Sequence, residues 1–355
     1  MDVASVEQLL AVLEKSRLLD SAQLAEARQL VQPGDDPRTA AKSLVHRQLI
    51  TRWQAGQLLA GRSSFYLGKY RLIELIGHGG MGSVFLGQHV TMHRRVALKV
   101  ISRELCHHRA ALDRFLAEGR AVAALDHPNI VRAYSIDNEG DRYYLVMEYV
   151  DGDDFQCLVE RDGPMRESLA ADYIAQAADG LEHAHQQGLI HGDVKPSNLL
   201  VNRQGVVKIL DLGLARLVGG ASATEAKSNE PLFGSVDYLA PEQAIKSPAV
   251  DGRADIYSLG CTLYFLLIGH PPFSQGTLPE RILKHQTQQP PDLRTIRPGI
   301  SDEIASICCK MMSKKAENRF PTAAAVSQSL RQWLAGDVRR PPMPPLPKAK
   351  RLEEP

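Results

Sequence analysis

The sequence predicts an α+β fold in which a strand-rich lobe precedes a helix-rich lobe, with a small helical prefix in front of both. Two changes in the hydrophobic pattern support this prediction. At Tyr70 a three- and four-residue period gives way to alternating and β-branched runs, and beyond Gly152 the helical period returns. We therefore predict a two-lobed domain at residues 70–335, with the lobes at 70–150 and 151–335.

The prefix, residues 1–62, has the pattern of short helices. Leucines recur at three- and four-residue steps, and breaks at Pro33, Gly34 and Pro37 divide it into two or more helices. It contains no group of residues with an evident chemical role. We expect it to pack on itself or on the neighbouring lobe, with docking on a partner protein as the alternative.

Strands open the main domain, since β-branched runs are separated there by Gly-rich or polar turns. The predicted strands are residues 70–76, 83–87, 95–101, 130–136 and 143–149, with a helix at 111–125. In the second lobe an apolar stripe predicts a helix at 168–187. The apolar run 256–268 is shorter than the roughly 20 residues of a membrane span, which indicates a buried core helix.

Composition excludes several functions for the chain as a whole. Its 42 Lys and Arg residues nearly balance its 41 Asp and Glu residues, so the net charge of +1 attracts neither nucleic acid nor a membrane surface. The five cysteines are scattered, without the spacing of a zinc site or the density of a disulfide scaffold. We expect a cytoplasmic protein with no nucleic-acid partner and no membrane span, and an extended Pro- and Lys-rich tail at residues 339–355.

A glycine-rich segment lies between the first two predicted strands. It runs from Ile76 to Val84 and contains the pattern GxGxxG at Gly77, Gly79 and Gly82. Glycine lets backbone N–H groups approach phosphate oxygens. A dinucleotide-binding fold would place a helix after the glycines, whereas here a strand follows at once. The pattern favours a phosphate-covering hairpin, and an ordinary glycine-rich turn remains the alternative.

Lys99 ends a strand whose other side chains are largely apolar, so its ammonium group needs an anionic partner. Glu118, in the helix that follows, is the candidate. An ion pair between the two would join helix to sheet and leave lysine N–H donors for phosphates. The alternative is a surface lysine and an unrelated, solvated glutamate.

Two carboxylates and a carboxamide flank strand-like runs in the second lobe, namely Asp193, Asp211 and Asn198. Removing a proton from a hydroxyl needs a carboxylate near its oxygen, and a metal ion on a triphosphate needs oxygen ligands. Lys195 adds a cation to the group. Any one of these residues could be structural, but their joint spacing predicts a phosphoryl-transfer site.

Together these segments resemble the signature motifs of the protein kinase family. The resemblance covers roughly residues 70–335 and rests on Gly77-x-Gly79-x-x-Gly82-x-Val84, Val96-Ala97-Leu98-Lys99, Glu118, His191-x-Asp193-x-x-x-x-Asn198, Asp211-x-Gly213 and Ala240-Pro241-Glu242. It implies a bilobal protein-kinase-like fold. It also implies ATP and Mg2+ as cofactors, with Mn2+ as an alternative metal, and a protein as the substrate.

The resemblance implies roles for individual residues. The catalytic residues would be Asp193, Lys195, Lys99 and Glu118, and the metal ligands Asn198 and Asp211. The nucleotide would contact Ile76, Gly77, His78, Gly79, Gly80, Met81, Gly82, Ser83, Val84, Ala97, Lys99, Met147, Glu148 and Val150. Asp193 would orient the acceptor hydroxyl and take its proton, and Met147 would gate the pocket behind adenine. Two roles would be structural, a pair between Glu242 and Arg319 and an anchor of the catalytic loop at Asp255.

The subgroup is indicated by the catalytic loop and by the prefix. Lys195 lies two residues after Asp193, as a lysine does in the serine/threonine-specific kinases that this loop resembles. Among these, the sequence most resembles the bacterial kinases. The segment 49–59 of the prefix resembles a helical prefix of planctomycete kinases. Serine or threonine is therefore the expected acceptor.

Gly192 departs from the family pattern, which usually has arginine there to pair with a phosphate on the activation segment. We therefore predict that activity depends little on phosphorylation of Ser222, Thr224 or Ser228. The same departure raises one alternative, a pseudokinase that binds nucleotide as an interaction module. A small-molecule phosphotransferase is a third hypothesis, and the Ala240-Pro241-Glu242 motif argues against it.

Overall fold

A computed structural model describes most of the chain, residues 3–32, 34–79, 82–106, 108–212, 216–217, 236–245 and 250–336. It describes only the backbone of Arg114, Glu118, Arg216 and Leu217. The chain divides into two compact units. Of the described residues, the first unit contains those up to Asp113 together with Ala133–Tyr149, and the second contains Arg114–Arg132 together with those from Val150 to Gly336.

The prefix forms helices α1 (Val6–Ser16), α2 (Ser21–Leu30), α3 (Pro37–His46) and α4 (Arg52–Leu59). Each begins after a polar residue whose side chain accepts a hydrogen bond from a backbone N–H of the first turn. Apolar residues at helical spacing, among them Leu9, Leu13, Leu44 and Leu58, are buried together in a small core. The helical character predicted for the prefix is confirmed.

A six-stranded antiparallel sheet makes up most of the rest of the first unit. Its strands are β1 (Tyr66–Leu67), β2 (Tyr70–Gly79), β3 (Gly82–His89), β4 (Arg95–Ile101), β5 (Ala133–Glu139) and β6 (Arg142–Glu148), in the order β1-β2-β3-β4-β6-β5. One face of the sheet buries Tyr70, Leu72, Leu98 and Val146, and Trp53 of α4 packs against this face. Helix α4 therefore covers the sheet from one side.

The sequence placed the start of β5 too early. Residues 130–132 are not part of that strand, which begins at Ala133. Ile130 instead forms a parallel bridge with Ile209 in the second unit, and the N–H of Val131 donates to the carbonyl of Ile209. A short apolar run is equally compatible with a strand and with such a bridge, so the pattern alone did not separate them.

Helices dominate the second unit, as predicted. Helix α5 (Arg103–Cys106) belongs to the first unit, and the boundary between the units falls within α6 (Arg109–Ala123). The helices that follow are α7 (Phe155–Asp162), α8 (Glu167–Gln186), α9 (Pro241–Ala244), α10 (Arg253–Ile268), α11 (Leu278–Thr287), α12 (Leu293–Ile296), α13 (Asp302–Met311) and α14 (Ala323–Gly336). Helix α10 is buried on all sides, which confirms the predicted core helix. Among the described residues no helix has both the length and the apolar character needed to cross a bilayer.

Short strands of the second unit carry its candidate catalytic residues. They are β7 (Gly152–Asp154), β8 (Leu189–Ile190), β9 (Leu199–Asn202), β10 (Val207–Ile209) and β11 (Arg216–Leu217). They form a three-stranded sheet in the order β10-β9-β7 and a separate pair of β11 and β8. The segment between β8 and β9 and the residues after β10 are therefore held at strand ends.

Candidate active site

Asp193 lies in the loop between β8 and β9 and is held there by two neighbours. Its carboxylate Oδ2 accepts a hydrogen bond from Lys195 Nζ at 2.6 Å. The side-chain Nδ2 of Asn198 donates to the backbone carbonyl of Asp193 at 2.8 Å and lies 3.3 Å from Oδ2. The side chain of Asp193 remains 13% exposed. The carboxylate is thus fixed in orientation and accessible to solvent.

Asp255, at the start of α10, holds the backbone just before Asp193. Its two carboxylate oxygens accept the N–H groups of His191 and Gly192 at 2.9 and 2.8 Å, and His185 Nε2 lies 2.8 Å from Oδ2. Burial acts to raise the pKa of Asp255, but the hydrogen bond and charge of His185, with His191 and the Gly192 N–H, lower it below its usual value. Asp255 is therefore a buried carboxylate anchor, as expected.

Gly192 has a backbone φ of 75°, in the left-handed region that glycine adopts without strain. Its carbonyl accepts a hydrogen bond from Gln243 Nε2 at 2.9 Å, so helix α9 is connected to the catalytic loop. The sequence did not single out Gln243. The activation-segment residues Ser222, Thr224 and Ser228 lie outside the described residues.

Asp211 follows β10 and is positioned by the same loop. The N–H of Leu210 donates to the carbonyl of Asn198 at 2.9 Å, and His191 Nε2 lies 2.9 Å from the carbonyl of Leu210. Asp211 itself has a φ of 52° and an exposed side chain. Hydrogen bonds of the second unit therefore join the loop that carries Asp193 and Asn198 to Leu210, the residue before Asp211.

These residues offer oxygen ligands suited to a divalent metal ion. The Nδ2 group of Asn198 is directed at Asp193, which leaves the carboxamide oxygen of Asn198 as an acceptor, and Asp211 contributes a carboxylate. The described parts of the chain contain no group of three or more His, Cys, Asp or Glu side chains that could hold a metal ion by themselves. A metal ion bound with a nucleotide needs fewer protein ligands, because phosphates and water complete its coordination.

The glycine-rich segment of the first unit is a β-hairpin, the arrangement that the sequence favoured. In the pairing of β2 with β3, His78 lies opposite Ser83 and Gly79 opposite Gly82. His78 Nδ1 lies 3.0 Å from Ser83 Oγ. Gly82 has a φ of 144°, and a Cβ atom there would lie 2.0 Å from the carbonyl oxygen of Val100, so the position requires glycine. Gly80 and Met81 lie outside the described residues.

Four of the expected nucleotide-binding residues lie on one face of the sheet. Lys99 pairs with Val84, and Ala97 pairs with Met147. Directly paired residues share a face, as do residues two apart in a strand, so the four side chains lie on the same side. Glu148 lies at the end of β6 opposite Val96.

The remaining candidates are distributed as follows. Ile76 is 43% exposed just before Gly77, and Val150 is buried at the start of the second unit's main segment. The side chain of Glu118 is outside the described part of the chain. The Lys99–Glu118 ion pair thus stays a prediction.

The pair between Glu242 and Arg319 is present. The guanidinium nitrogens Nη1 and Nη2 of Arg319 lie 2.6 and 2.8 Å from the two carboxylate oxygens of Glu242. Arg319 also donates to the backbone carbonyls of Ser313, Lys314 and Arg253. Its side chain is fully buried, so the pair joins helix α9 to the helical core.

Comparison with known proteins identifies the class. The family model of the protein kinase domain matches residues 70–331. The chain therefore belongs to the protein kinase family. Membership in this family implies ATP and a divalent metal ion as cofactors.

The chain is similar to several bacterial serine/threonine-protein kinases. It is 37% identical over 266 residues to PknB of Mycobacterium leprae and 33% identical over 270 residues to PrkC of Bacillus subtilis. These alignments cover 74% and 76% of this chain, but only 42% and 41% of the two relatives. The chain thus spans less than half the length of the curated relatives it matches.

A solved structure supports the same fold. The kinase domain of PknI from Mycobacterium tuberculosis is similar with a TM-score of 0.59 and 26% sequence identity, covering 75% of this chain and 97% of that chain. The predicted protein-kinase-like α+β fold is confirmed.

Proposed function

We propose that this chain is an active serine/threonine protein kinase, which transfers the γ-phosphoryl group of Mg-ATP to Ser or Thr hydroxyls of proteins, its own chain included. The observation that carries the proposal is the Asp193 carboxylate, held by Lys195 and Asn198 in a loop that is hydrogen-bonded to the strand end before Asp211. A carboxylate oriented in this way, with metal-compatible oxygens nearby, fits proton removal from a hydroxyl next to a bound triphosphate.

In the proposed reaction Asp193 accepts the proton of the acceptor hydroxyl. The hydroxyl oxygen forms a bond to the γ-phosphorus, and the bond from that phosphorus to the β-phosphate oxygen breaks, releasing ADP. Lys195 Nζ lies 2.6 Å from Oδ2 of Asp193. From there its positive charge would also stabilise the negative charge of the transferred phosphoryl group. Most of the rate would come from positioning and electrostatics.

Asn198 and Asp211 are the proposed ligands of Mg2+, with Mn2+ as a substitute. A bound ion would neutralise triphosphate charge. In the first unit, the backbone of the Gly77–Ser83 hairpin and Lys99 would bind phosphates, with Glu118 as the partner of Lys99. Adenine would lie against Ile76, Val84 and Ala97, beside Met147 and the backbone of Glu148 and Val150.

The accessory assignments have their own support. For the prefix we favour packing within the chain, because Trp53 of α4 contacts Phe85 of the sheet at a ring-centroid distance of 5.6 Å. We place the kinase domain at residues 70–335, in line with the family match. A cytoplasmic location agrees with five cysteines that are all free thiols.

Incorporation of labelled γ-phosphate tests the proposal against the pseudokinase alternative. The purified chain with Mg2+ and γ-labelled ATP should label itself or a general acceptor such as casein or myelin basic protein. Acid hydrolysis should release phosphoserine and phosphothreonine but no phosphotyrosine. Nucleotide binding without any labelled protein would support the pseudokinase and contradict the kinase, and labelled phosphotyrosine would contradict the acceptor class.

A further inference from the structure

The helix α4 of the prefix begins with a reciprocal capping box. Thr51 Oγ1 accepts the N–H of Gln54 at 3.2 Å, and Gln54 Oε1 accepts the N–H of Thr51 at 3.0 Å. Such a box satisfies two N–H groups at a helix start. It uses one acceptor from each side chain. The hydroxyl hydrogen of Thr51 and the amide hydrogens of Gln54 remain as donors.

Both remaining donors are directed at the same strand of the kinase domain. The hydroxyl of Thr51 donates to the carbonyl of Ile73 at 2.7 Å, and Nε2 of Gln54 donates to the carbonyl of Leu72 at 2.8 Å. Gln54 is only 4% exposed. Buried polar groups of this kind are costly to leave unpaired, so these two bonds hold the strand to the helix start.

The two carbonyls lie at a β-bulge in β2. Leu72 pairs with Gly87 of β3, but Glu74 pairs with Leu86, so Ile73 is the extra residue. A bulge residue lacks a regular partner in the ladder, and the bulge bends the strand and increases its twist. The N–H of Leu72 is also taken up outside this ladder, since it donates to the carbonyl of Phe65 at 2.8 Å. The prefix and the linker after it thus supply hydrogen bonds at the bend.

Trp53, between the two box residues, adds an apolar contact to the same hairpin. Its ring lies 5.6 Å from that of Phe85, and Phe85 pairs with Leu75 in β2. The residues buried around Trp53 form the sheet face opposite the one that carries Lys99 and Ala97. Helix α4 can therefore influence nucleotide binding only through the strands, and not by touching the nucleotide.

The bulge lies close to the glycine-rich hairpin along the chain. Ile73 precedes Gly77 by four residues, which is about 13 Å in an extended strand. A second register shift lies between Leu75 and Gly77, so the bend at Ile73 acts together with this second bulge to set the direction of Gly77–Gly79 in β2. Displacements of about 1 Å at a positioning element are enough to change activity strongly.

We propose that Thr51 and Gln54 are positioning residues for nucleotide binding, which set the bend of β2 and thereby the placement of the glycine-rich hairpin. This inference rests on the proposed kinase function. It assigns to the prefix an indirect effect on ATP affinity, exerted through strand β2.

The test is the variant Gln54→Glu in the full chain. Glutamate keeps an oxygen that can accept the N–H of Thr51, as Oε1 of Gln54 does, but it loses the N–H donor to the carbonyl of Leu72 and places a negative charge next to that carbonyl. We expect KM for ATP, and Kd for a non-hydrolysable ATP analogue, to rise about tenfold. The kcat at saturating ATP should change by less than about twofold, because no group at the reacting atoms is altered.

The prefix contains a matched control. Helix α2 begins with the same kind of box, in which Asp20 and Gln23 cap each other, and Gln23 is exposed. Gln23→Glu makes the same chemical change away from the sheet and should leave both ATP constants at their wild-type values. An unchanged Kd in folded Gln54→Glu, or an equal rise in Gln23→Glu, would overturn the proposal.

Thr51 provides a second route if Gln54→Glu does not fold. Thr51→Val removes the hydroxyl at nearly constant shape and should raise the Kd of the analogue. Thr51→Ser retains the hydroxyl donor and should bind the analogue with the wild-type Kd. Equal Kd values for the two Thr51 variants would contradict the proposal. Because the Kd measurement needs no turnover, its outcome is separate from a failure of the kinase function, which would be seen as absent phosphate transfer by wild type.

Discussion

Replacing Asp193 by asparagine should lower phosphate transfer by roughly a hundred- to ten-thousandfold, the usual contribution of a general base. The variant keeps the shape of the side chain and an oxygen that can accept the hydrogen bond from Lys195, but the amide cannot take a proton from the acceptor. The measurement is the initial rate of labelled phosphate incorporation at saturating Mg-ATP. The melting temperature should stay within about 2 °C of wild type, since the side chain is partly exposed at the loop surface.

A control separates chemistry from nucleotide binding. Asp193 is not among the proposed metal or nucleotide ligands, so the Kd of the ATP analogue should be nearly unchanged in Asp193→Asn. Asp153→Asn removes a surface carboxylate of the same unit, one that pairs with Arg161 at 2.7 Å, and should keep full activity. An Asp193→Asn variant with wild-type transfer would refute the assignment of the base.

Replacing Arg319 by alanine should lower the free energy of unfolding by about 3–5 kcal/mol, which is typical when one partner of a buried ion pair is removed. The change leaves Glu242 without its partner and takes donors from three backbone carbonyls at once. Urea unfolding followed by circular dichroism measures this loss. Activity should disappear only at temperatures or denaturant concentrations at which the variant unfolds.

Arg294 is the control for this stability prediction. It also forms two ion pairs, with Asp292 and Asp302, but its side chain is 47% exposed. Exposed ion pairs contribute little, so Arg294→Ala should cost only a small fraction of the loss seen at Arg319. Equal losses for both variants would show that burial of the Glu242 pair is not the cause.

Local motifs of the sequence were sufficient to predict the family and much of the structure of the second unit. The anchor at Asp255 and the pair of Glu242 with Arg319 were expected from the kinase resemblance, and both are present. The buried helix α10 followed from a long apolar run. In each case the information lies in a short segment or in a family motif, and not in contacts that depend on the whole fold.

Features that depend on long-range pairing were not predicted. The early start assigned to β5 was wrong because Ile130 bridges to Ile209, which is 79 residues later in the chain. The capping pattern of Thr51 and Gln54 is visible in the sequence. The carbonyls that accept their remaining hydrogen bonds, however, are 22 residues from Thr51 and 18 residues from Gln54. Nothing in a local pattern indicates which strand a helix start will contact.

The most direct test of the account is calorimetric titration of the chain with a non-hydrolysable ATP analogue, with Mg2+ present and with all divalent metal chelated. We predict binding that is at least about tenfold tighter with Mg2+, and loss of this difference in Asp211→Ala, because Asp211 and Asn198 would hold the ion with the phosphates. No binding in the presence of Mg2+, or equal affinity with and without the metal, would contradict the proposed Mg-ATP site.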